Sequence, residues 1–201
     1  MKCLQTEFNL FTGWKIELEN NLEDYTLDMN HADPFLRHVK QVFCRGNDEH
    51  FDYLINWFAS IIQNPDKKTG VVVVLKSEKE GTGKGLVIDV LFGNGIFGEQ
   101  SYSQVKNIEG LIGKFNSNLM NKQFVNADEV SMNKKEANEV KNMVTDPYMH
   151  FEKKGLDKIR LKNFMNFVFT SNNEYCVNLN NSDRRYFILD VDDSNANDQS
   201  Y

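Results

Sequence analysis

A lysine set among glycines is the clearest sign of chemistry in this chain. Residues 81–85 read Gly-Thr-Gly-Lys-Gly, after four valines at 71–74 and before the apolar run 86–92. This order predicts a buried strand, a tight turn and a helix, and we call residues 77–85 the glycine loop. Backbone N–H groups of such a turn hold phosphate oxygens, and Lys84 would reach the β- and γ-phosphates of ATP. The predicted nucleotide contacts are Glu80, Gly81, Thr82, Gly83, Lys84, Gly85 and Leu86.

Two positions of the glycine loop depart from the usual phosphate-binding pattern G-x-x-x-x-G-K-[ST]. Glu78 occupies the first glycine position, and Gly85 occupies the position of the Ser or Thr. The hydroxyl that Gly85 lacks normally helps to hold Mg²⁺, so Asp128 and water molecules would have to hold the ion. Taken alone, the loop is also compatible with an ordinary glycine turn beside an unrelated lysine.

Two acids, Asp128 and Glu129, follow the mostly apolar segment 123–127. In ATP hydrolysis, a first carboxylate in this position holds Mg²⁺ and a second polarises the attacking water. We therefore predict Asp128 as the metal ligand and Glu129 as a catalytic residue. An acidic loop end is also a common surface feature, and Asn126 makes the preceding strand less apolar than most buried strands.

Asn172 and the pair Arg184-Arg185 lie beside two later predicted strands. An amide at the end of the strand 164–169 can position the attacking water and sense the γ-phosphate. An arginine supplied by a neighbouring subunit stabilises the charge on a transferred phosphoryl group. All three are predicted catalytic residues, although a turn asparagine and salt-bridged surface arginines would give the same pattern.

Five basic residues stand close together between positions 153 and 162 of an otherwise acidic chain. The alternation of residues 148–162 around a Lys-Gly turn predicts a β-hairpin. Lys153, Lys154 and Lys158 are predicted to contact the phosphates of single-stranded DNA without reading its sequence. A lysine-rich hairpin also protects an exposed edge against aggregation, so the pattern alone leaves both interpretations open.

Helices and strands alternate along most of the chain, which is typical of an α/β fold with a mostly parallel sheet. The predicted strands are 71–75, 101–103, 123–127, 164–169 and 186–189. The predicted helices are one that opens at Pro34 with Asp33 as its cap, one from Phe51 to Ile62, one from 84 to 92 that breaks at residues 93–95 and Gly98, one with an apolar stripe from Val105 to Phe115, and one from Lys134 to Thr145. The predicted parts of the chain are an N-terminal arm and helical hairpin (1–65), a P-loop ATPase core (66–192) and a polar tail (193–201).

The composition narrows the class of protein. The chain has 201 residues and a net charge of −6, with three widely spaced cysteines that form no zinc or disulfide pattern. It has no apolar run of about 18 residues and no secretory signal at its start, so no membrane partner is expected. These features favour the host-cell cytoplasm or a viral replication site, and the acidic charge restricts nucleic-acid contact to a local basic element.

Taken in chain order, these motifs resemble the superfamily 3 helicase domain, especially the primase-associated helicases of phages, plasmids and large DNA viruses. The resembling segments are 51–65 with 80–85, then 124–129, 144–162, 167–172 and 182–186. The resemblance implies a P-loop NTPase with an AAA+-like sheet, ATP and Mg²⁺ as cofactors, and a homo-oligomeric ring that is usually hexameric. It also implies that Lys153 or Lys154 lines the pore, that Arg184 or Arg185 reaches a neighbour's ATP, and that a primase or primase-polymerase domain is a partner.

Three functions are compatible with the residues. The first is an ATP-dependent DNA helicase or translocase of viral or mobile-element replication, which accounts for all the motifs in their order. The second is a nucleotide-binding ring or scaffold subunit that does not hydrolyse ATP, favoured by Gly85 and the short length. The third is a small-molecule P-loop kinase, which leaves the basic hairpin and the paired arginines without an explanation.

Overall fold

A computed structural model gives the fold for residues 11–19, 29–129, 131–172 and 183–198, the parts of the chain that it describes. Its strands are β1 (Val72–Lys76), β2 (Tyr102–Val105), β3 (Phe124–Asp128), β4 (Tyr148–Phe151), β5 (Ile159–Lys162), β6 (Asn166–Ser171) and β7 (Tyr186–Asp190). Five of them form one sheet in the order β2–β3–β6–β1–β7, and each neighbouring pair is parallel. The predicted α/β class with a mostly parallel central sheet is therefore confirmed.

Helices cover both faces of this sheet. They are α1 (Lys15–Glu19), α2 (Met29–His38) with a π-helical extension (Val39–Phe43), α3 (Asp48–Gln63), a π-helix (Leu86–Phe97), α4 (Gly98–Ser101), α5 (Ile108–Ile112), a 3₁₀ turn (Ser117–Leu119) and α6 (Lys134–Thr145). In β1, Val73 and Leu75 belong to the apolar cluster with α3 and the π-helix, whereas Val72 and Val74 belong to the cluster with α6. Because both faces are covered, β1 is apolar without interruption. No helix in the described ranges is long and apolar enough to span a bilayer.

Two predicted helix boundaries are wrong. The helix after the glycine loop does not break at Gly93 but continues to Phe97 and ends at Gly98, the last of the predicted breaking residues. Gly93 serves packing instead, because a Cβ there would lie 2.7 Å from the ring of Tyr102. Helix α2 contains Pro34, so Asp33 lies inside the helix and is not its cap. Pro34 is the sixth residue of this helix, so it lacks the N–H that would bond the carbonyl of residue 30, and a proline at such an interior position weakens or kinks a helix.

Other predicted elements are confirmed. Helix α6 spans the predicted residues and starts with a capping box, in which Asn133 and Glu136 bond each other's backbone N–H groups. Strands β4 and β5 form the predicted antiparallel hairpin. In the main sheet, Lys76 pairs with Ser171, and Asp128 pairs with Thr170. The carboxyl ends of β1, β3 and β6 therefore meet at one edge, where open parallel sheets bind their ligands.

Candidate functional site

The glycine loop joins β1 to the π-helix at the carboxyl edge of the sheet. Gly81 and Gly83 have φ angles of 78° and 82°, a left-handed conformation that glycine adopts without strain. Both also lie under other side chains. A Cβ at Gly81 would lie 2.0 Å from the side-chain oxygen of Asn197, and one at Gly83 would lie 2.5 Å from Nε2 of His38. The geometry of the loop therefore requires glycine at both positions.

The other predicted nucleotide contacts divide by exposure. Glu80, Gly85 and Leu86 are exposed, so they border the outer side of the loop. Thr82 is buried, and its hydroxyl lies 3.3 Å from Nζ of Lys84. The loop thus turns one hydroxyl and one ammonium inward and leaves both of its acidic residues, Glu78 and Glu80, exposed.

Lys84 points into the polar edge of the sheet and is only 8% exposed. Its Nζ donates to Oδ1 of Asn172 at 2.7 Å and also to Oγ of Ser77. Burial lowers the pKa of Lys84, while the negative charges of Glu129 and Asp128 oppose this shift. The structure thus brings the predicted phosphate-binding lysine together with the predicted asparagine and the field of the acidic pair.

Asn172 connects Lys84 with Glu129. Oε1 of Glu129 accepts hydrogen bonds from the backbone N–H of Asn172 at 3.2 Å and from its Nδ2 at 2.9 Å. Because Oδ1 accepts the bond from Lys84, both ends of the Asn172 amide are used. Glu129 has a φ angle of 55°, a conformation that costs a non-glycine residue about 1–3 kcal/mol. Such strain beside a fixed carboxylate is typical of functional sites rather than of ordinary strand ends.

Asp128 belongs to a polar network that runs from β3 to the π-helix. Its Oδ1 lies 2.7 Å from the hydroxyl of Thr170, and that hydroxyl lies 3.2 Å from Oδ1 of Asn126. Nδ2 of Asn126 donates to Oδ1 of Asp89 at 2.7 Å, and the hydroxyl of Tyr102 donates to the same oxygen. Asn126, the residue that makes β3 less apolar than most strands, is fully buried, and it contacts Asp89 directly and Asp128 through the Thr170 hydroxyl.

Asp89, the one charged residue in the apolar run 86–92, is a site residue that the sequence motifs did not indicate. A usable signal was its position four residues after Gly85, which puts both on one face of a helix. Within the described ranges, no group of three or more His, Cys, Asp or Glu side chains is arranged to hold a metal ion. Asp89 and Asp128 would leave most of the coordination shell of Mg²⁺ to phosphate oxygens and water, which is how proteins usually hold this ion. The donor set therefore fits Mg²⁺ bound together with a nucleotide.

The segment after β7 lies on the outer side of the glycine loop. Oδ2 of Asp193 accepts a hydrogen bond from the backbone N–H of Lys79 at 3.2 Å. The backbone N–H of Asn197 donates to the carbonyl of Gly81 at 3.2 Å, and its Nδ2 donates to the carbonyl of Glu80 at 3.4 Å. A carboxylate thus accepts the hydrogen bond of one loop N–H group, a contact that no local sequence pattern indicates.

The tip of the hairpin carries the predicted DNA-binding lysines. Lys153 and Lys154 lie in the turn between β4 and β5, and both are exposed. Lys158 differs, because its Nζ lies 3.2 Å from Oε2 of Glu152 in an ion pair. The structure therefore leaves two of the three lysines at the tip without a carboxylate partner among the described residues.

The outer face of the hairpin carries a second basic group. Tyr148 pairs with Lys162 and His150 pairs with Arg160, so the four side chains share the face opposite the core. The guanidinium carbon of Arg160 lies 4.1 Å from the ring centroid of Tyr148, which is 42% exposed. A stacked ring and cation on an exposed strand pair suit a nucleobase as well as a phosphate.

Arg184 and Arg185 differ in their surroundings. Nη1 of Arg185 lies 3.4 Å from Oδ2 of Asp183, an oxygen that also accepts from Nζ of Lys141 at 2.9 Å. Arg184 is exposed and has no ion pair or hydrogen bond to another described residue. Both arginines precede β7, at the amino-terminal edge of the parallel sheet, whereas Lys84 follows the carboxyl end of β1. The two arginines and the glycine loop therefore lie at opposite edges of the sheet.

Known proteins match this chain in sequence and in structure. A family model described as "Family of unknown function (DUF5906)" matches residues 75–185. The DNA primase-polymerase of Nitratiruptor phage NrS-1 is 34% identical over 152 residues, which are 70% of this chain and 20% of that protein. The apo structure of the NrS-1 C-terminal region superposes with a TM-score of 0.72 at 30% identity, over 83% of this chain and 40% of that one. Its A-form apo structure gives a TM-score of 0.68 at 30% identity, over 82% and 38%.

The matches cover only part of each related protein, so they do not assign the function of the whole relative to this chain. This chain spans about one fifth of the primase-polymerase and about two fifths of the solved C-terminal region. Both similarities are to a protein of phage DNA replication, so the chain has a homologue in that process. Residues 75–185 contain every predicted catalytic residue, from Lys84 to Arg185.

Proposed function

The chain belongs to the family of unknown function DUF5906, and we propose that it is the ATP-dependent helicase or translocase motor of a phage-type DNA replication system. The observation that carries this proposal is the link from Lys84 through Asn172 to Glu129. A site that only bound nucleotide would need the lysine, but it would not need a carboxylate held beside it by the same amide. The homologous phage primase-polymerase supports the replication context and a primase domain as the partner.

Each residue of this link has a distinct task in the proposed hydrolysis. Lys84 and the N–H groups of the glycine loop bind the β- and γ-phosphates, and the phosphate charge favours the protonated lysine. Glu129 polarises the attacking water, and hydrogen bonds from Asn172 keep the Glu129 carboxylate oriented for this step. Asp128 holds Mg²⁺, which when bound neutralises charge on the phosphoryl oxygens.

Arg184 is the arginine that we assign to the neighbouring subunit's nucleotide. Arg185 already has Asp183 as a partner in its own chain, whereas Arg184 is exposed. An arginine that acts across an interface must be free to reach the γ-phosphate of another copy. This assignment makes the active form a homo-oligomer, and by the helicase resemblance a ring, usually of six subunits.

The hairpin β4–β5 is the proposed contact for single-stranded DNA. Lys153 and Lys154 supply charge at the tip, and Tyr148 with Arg160 supplies a stacking surface on the outer face. Together they can hold a strand by phosphates and bases without reading its sequence. The net charge of −6 is compatible, because only this element needs to be basic.

A nucleotide-binding subunit without hydrolysis is the second candidate. Two observations favour it: Gly85 lacks the usual hydroxyl, and Asp193 occupies a loop N–H group. In that case ATP would stabilise an assembly without being consumed. Glu129 has a strained backbone and accepts two hydrogen bonds, but a subunit that does not hydrolyse ATP has no use for such a fixed carboxylate. We therefore prefer the helicase or translocase motor.

The deciding experiment is ATP hydrolysis with and without single-stranded DNA. Wild type is compared with Lys84→Ala and Glu129→Gln, and with Lys67→Ala as a control, because Lys67 is an exposed lysine just before β1. We expect turnover that DNA stimulates and that both site variants lose, while Glu129→Gln still binds ATP. Binding without turnover in the wild type would favour the second candidate, and undiminished turnover in Lys84→Ala would overturn both.

A further inference from the structure

Asp89 lies on the π-helix one turn after Gly85, in a segment that is otherwise apolar. We propose that Asp89 and Asp128 together hold the Mg²⁺ that accompanies the nucleotide, and that Asp89 replaces the hydroxyl missing at Gly85. This inference rests on the proposed function, since it concerns the same nucleotide site. It would explain how a loop without the usual Ser or Thr keeps a metal site.

The first argument is the position of the Asp89 carboxylate. Gly85 has helical φ and ψ angles of −63° and −37°, so a serine would fit its backbone. A Cβ at Gly85 would lie 3.5 Å from Oδ2 of Asp89, an ordinary contact distance. The hydroxyl of a serine there and the carboxylate oxygen of Asp89 would thus border the same space. The chain has a glycine where the hydroxyl is usual and a carboxylate facing the gap.

The second argument is that Asp89 is held in one orientation. Its Oδ1 accepts hydrogen bonds from Nδ2 of Asn126 at 2.7 Å and from the hydroxyl of Tyr102. These donors occupy one oxygen and leave Oδ2 toward Gly85. Metal ligands are commonly fixed by hydrogen bonds on the side away from the ion, and this arrangement matches that pattern.

The third argument is that Asp89 and Asp128 face a shared position. Nε2 of Gln104 lies 3.3 Å from Oδ2 of Asp89 and 3.5 Å from Oδ2 of Asp128. One amide therefore serves two carboxylate oxygens, and each of these contacts is long for a hydrogen bond to an anion. A divalent cation is a stronger partner for two such oxygens than one neutral amide.

The buried connection between the aspartates supports the same conclusion. Asn126 is fully buried in β3 and links Asp89 to the hydroxyl of Thr170, which contacts Asp128. A polar side chain inside a sheet is costly unless all its hydrogen bonds are made. The amide of Asn126 donates to Asp89, and its Oδ1 faces the Thr170 hydroxyl that also contacts Asp128, so its polar atoms lie between the two residues whose relative position a shared metal ion would require.

The test uses Asp89→Asn, because asparagine keeps an oxygen for Asn126 and Tyr102 but removes the anionic oxygen that faces Gly85. Binding of ADP, which is not hydrolysed, is measured by calorimetry with Mg²⁺ and with EDTA. We expect the gain in ADP affinity from Mg²⁺ to fall by at least about tenfold, the usual range for altered metal shells, while affinity in EDTA stays unchanged. Glu99→Gln removes an exposed carboxylate in α4, outside the site, and should leave the gain intact.

Rescue gives a sharper result than loss. Adding Gly85→Ser to Asp89→Asn restores a hydroxyl ligand, so the double variant should regain part of the Mg²⁺ effect. An unchanged Mg²⁺ effect in Asp89→Asn would overturn the inference but leave the proposed function standing. A wild-type protein that binds no ADP in either condition would overturn the proposed function and the inference together.

A measurement on the wild type covers the case in which Asp89→Asn does not fold. Fe²⁺ replaces Mg²⁺ in the presence of ADP, and ascorbate with peroxide generates hydroxyl radicals that cut the backbone near the ion. Cuts next to both Asp89 and Asp128, competed away by Mg²⁺, would support the shared site. Cuts near Asp128 with none near Asp89 would overturn it.

Discussion

Lys84 and Asn172 stand 88 positions apart in the chain and meet through a 2.7 Å bond between Nζ and Oδ1. They meet because β1 and β6 are parallel neighbours, so that the segments after both strands lie at one edge of the sheet. A phosphate that attracts Lys84 would compete with this bond and release Oδ1 of Asn172. Since the same amide donates a hydrogen bond to Glu129, phosphate binding would also change the orientation of the catalytic carboxylate.

Replacing Asn172 by Ala should therefore separate binding from hydrolysis. Glu129 loses the side-chain amide donor and keeps only the longer bond from the backbone N–H of residue 172, so its carboxylate is oriented less firmly. Single-turnover hydrolysis should therefore fall by about 100-fold, the lower end of what a positioned general base contributes. Binding of a fluorescent ATP analogue should change little, because Lys84 keeps Ser77 and Thr82 as neighbours. Asn138→Ala, an exposed asparagine on α6, serves as the control. A parallel loss of binding would mean that Asn172 acts only by placing Lys84.

The sequence sufficed for the features that are local in the chain. The glycine loop, the acids at the end of β3, helix α6 and the hairpin follow from short patterns, and the strand order then brings Lys84 and Asn172 together. Asp89 was missed because its role depends on Asn126, Gln104 and Asp128, none of which is near it in sequence.

Positions on the outer surfaces were missed for the same kind of reason. Asp193 contacts the glycine loop only because the chain turns back after β7. Tyr148 and Arg160 form a stacked pair only through the hairpin register, which a charge count cannot give. The helix boundary at Gly93 was wrong because packing against Tyr102, rather than local propensity, decides the residue there.

Nucleotide affinity should fall as the pH rises through the alkaline range. Burial lowers the pKa of Lys84 in the free protein, and bound phosphate would raise it, so binding takes up a proton. Nucleotide affinity is therefore highest at a pH where Lys84 is protonated in both the free protein and the nucleotide complex. It declines at higher pH, where Lys84 loses its proton in the free protein. Calorimetry above about pH 7.5, where ATP itself is fully ionised, measures the effect. Lys84→Arg should show a flatter pH profile, because arginine stays protonated.

Asp193→Asn should strengthen nucleotide binding. The carboxylate accepts the N–H of Lys79 and places negative charge beside the glycine loop, where it repels phosphate. Asparagine keeps an acceptor for Lys79 and removes the charge. The gain should be about two- to fivefold, since exposed charge pairs are worth up to about 1 kcal/mol, and it should shrink in high salt. Asp192→Asn is the matched control, because its carboxylate bonds Ser194 instead of the loop. Equal affinities would show that the segment after β7 does not oppose the nucleotide.

Replacing Arg184 should affect ATP hydrolysis much more than replacing Arg185. Arg184→Ala should lower hydrolysis by about 1000-fold or more while binding persists, as expected for an arginine that acts on a neighbour's nucleotide. Arg185→Ala should keep most of the hydrolysis, because its partner Asp183 still has Lys141. Mixing Arg184→Ala with Lys84→Ala subunits should restore part of the activity, since one mixed interface is intact. No restoration, together with a monomeric protein, would contradict the assignment across subunits.

The hairpin should bind single-stranded DNA mainly through its tip. The double variant Lys153→Ala, Lys154→Ala should weaken binding to an oligonucleotide and reduce the salt slope by about 1.4, at about 0.7 for each lost phosphate contact. Lys158→Ala should have a smaller effect, because Lys158 is already paired with Glu152. Fluorescence anisotropy at several salt concentrations gives both affinity and slope, and basal ATP hydrolysis without DNA should be unchanged in both variants. If Lys158→Ala lowered the slope as much as the double variant does, the ion pair would not hold in the DNA complex. If neither variant changed the affinity, the hairpin would not be the DNA contact.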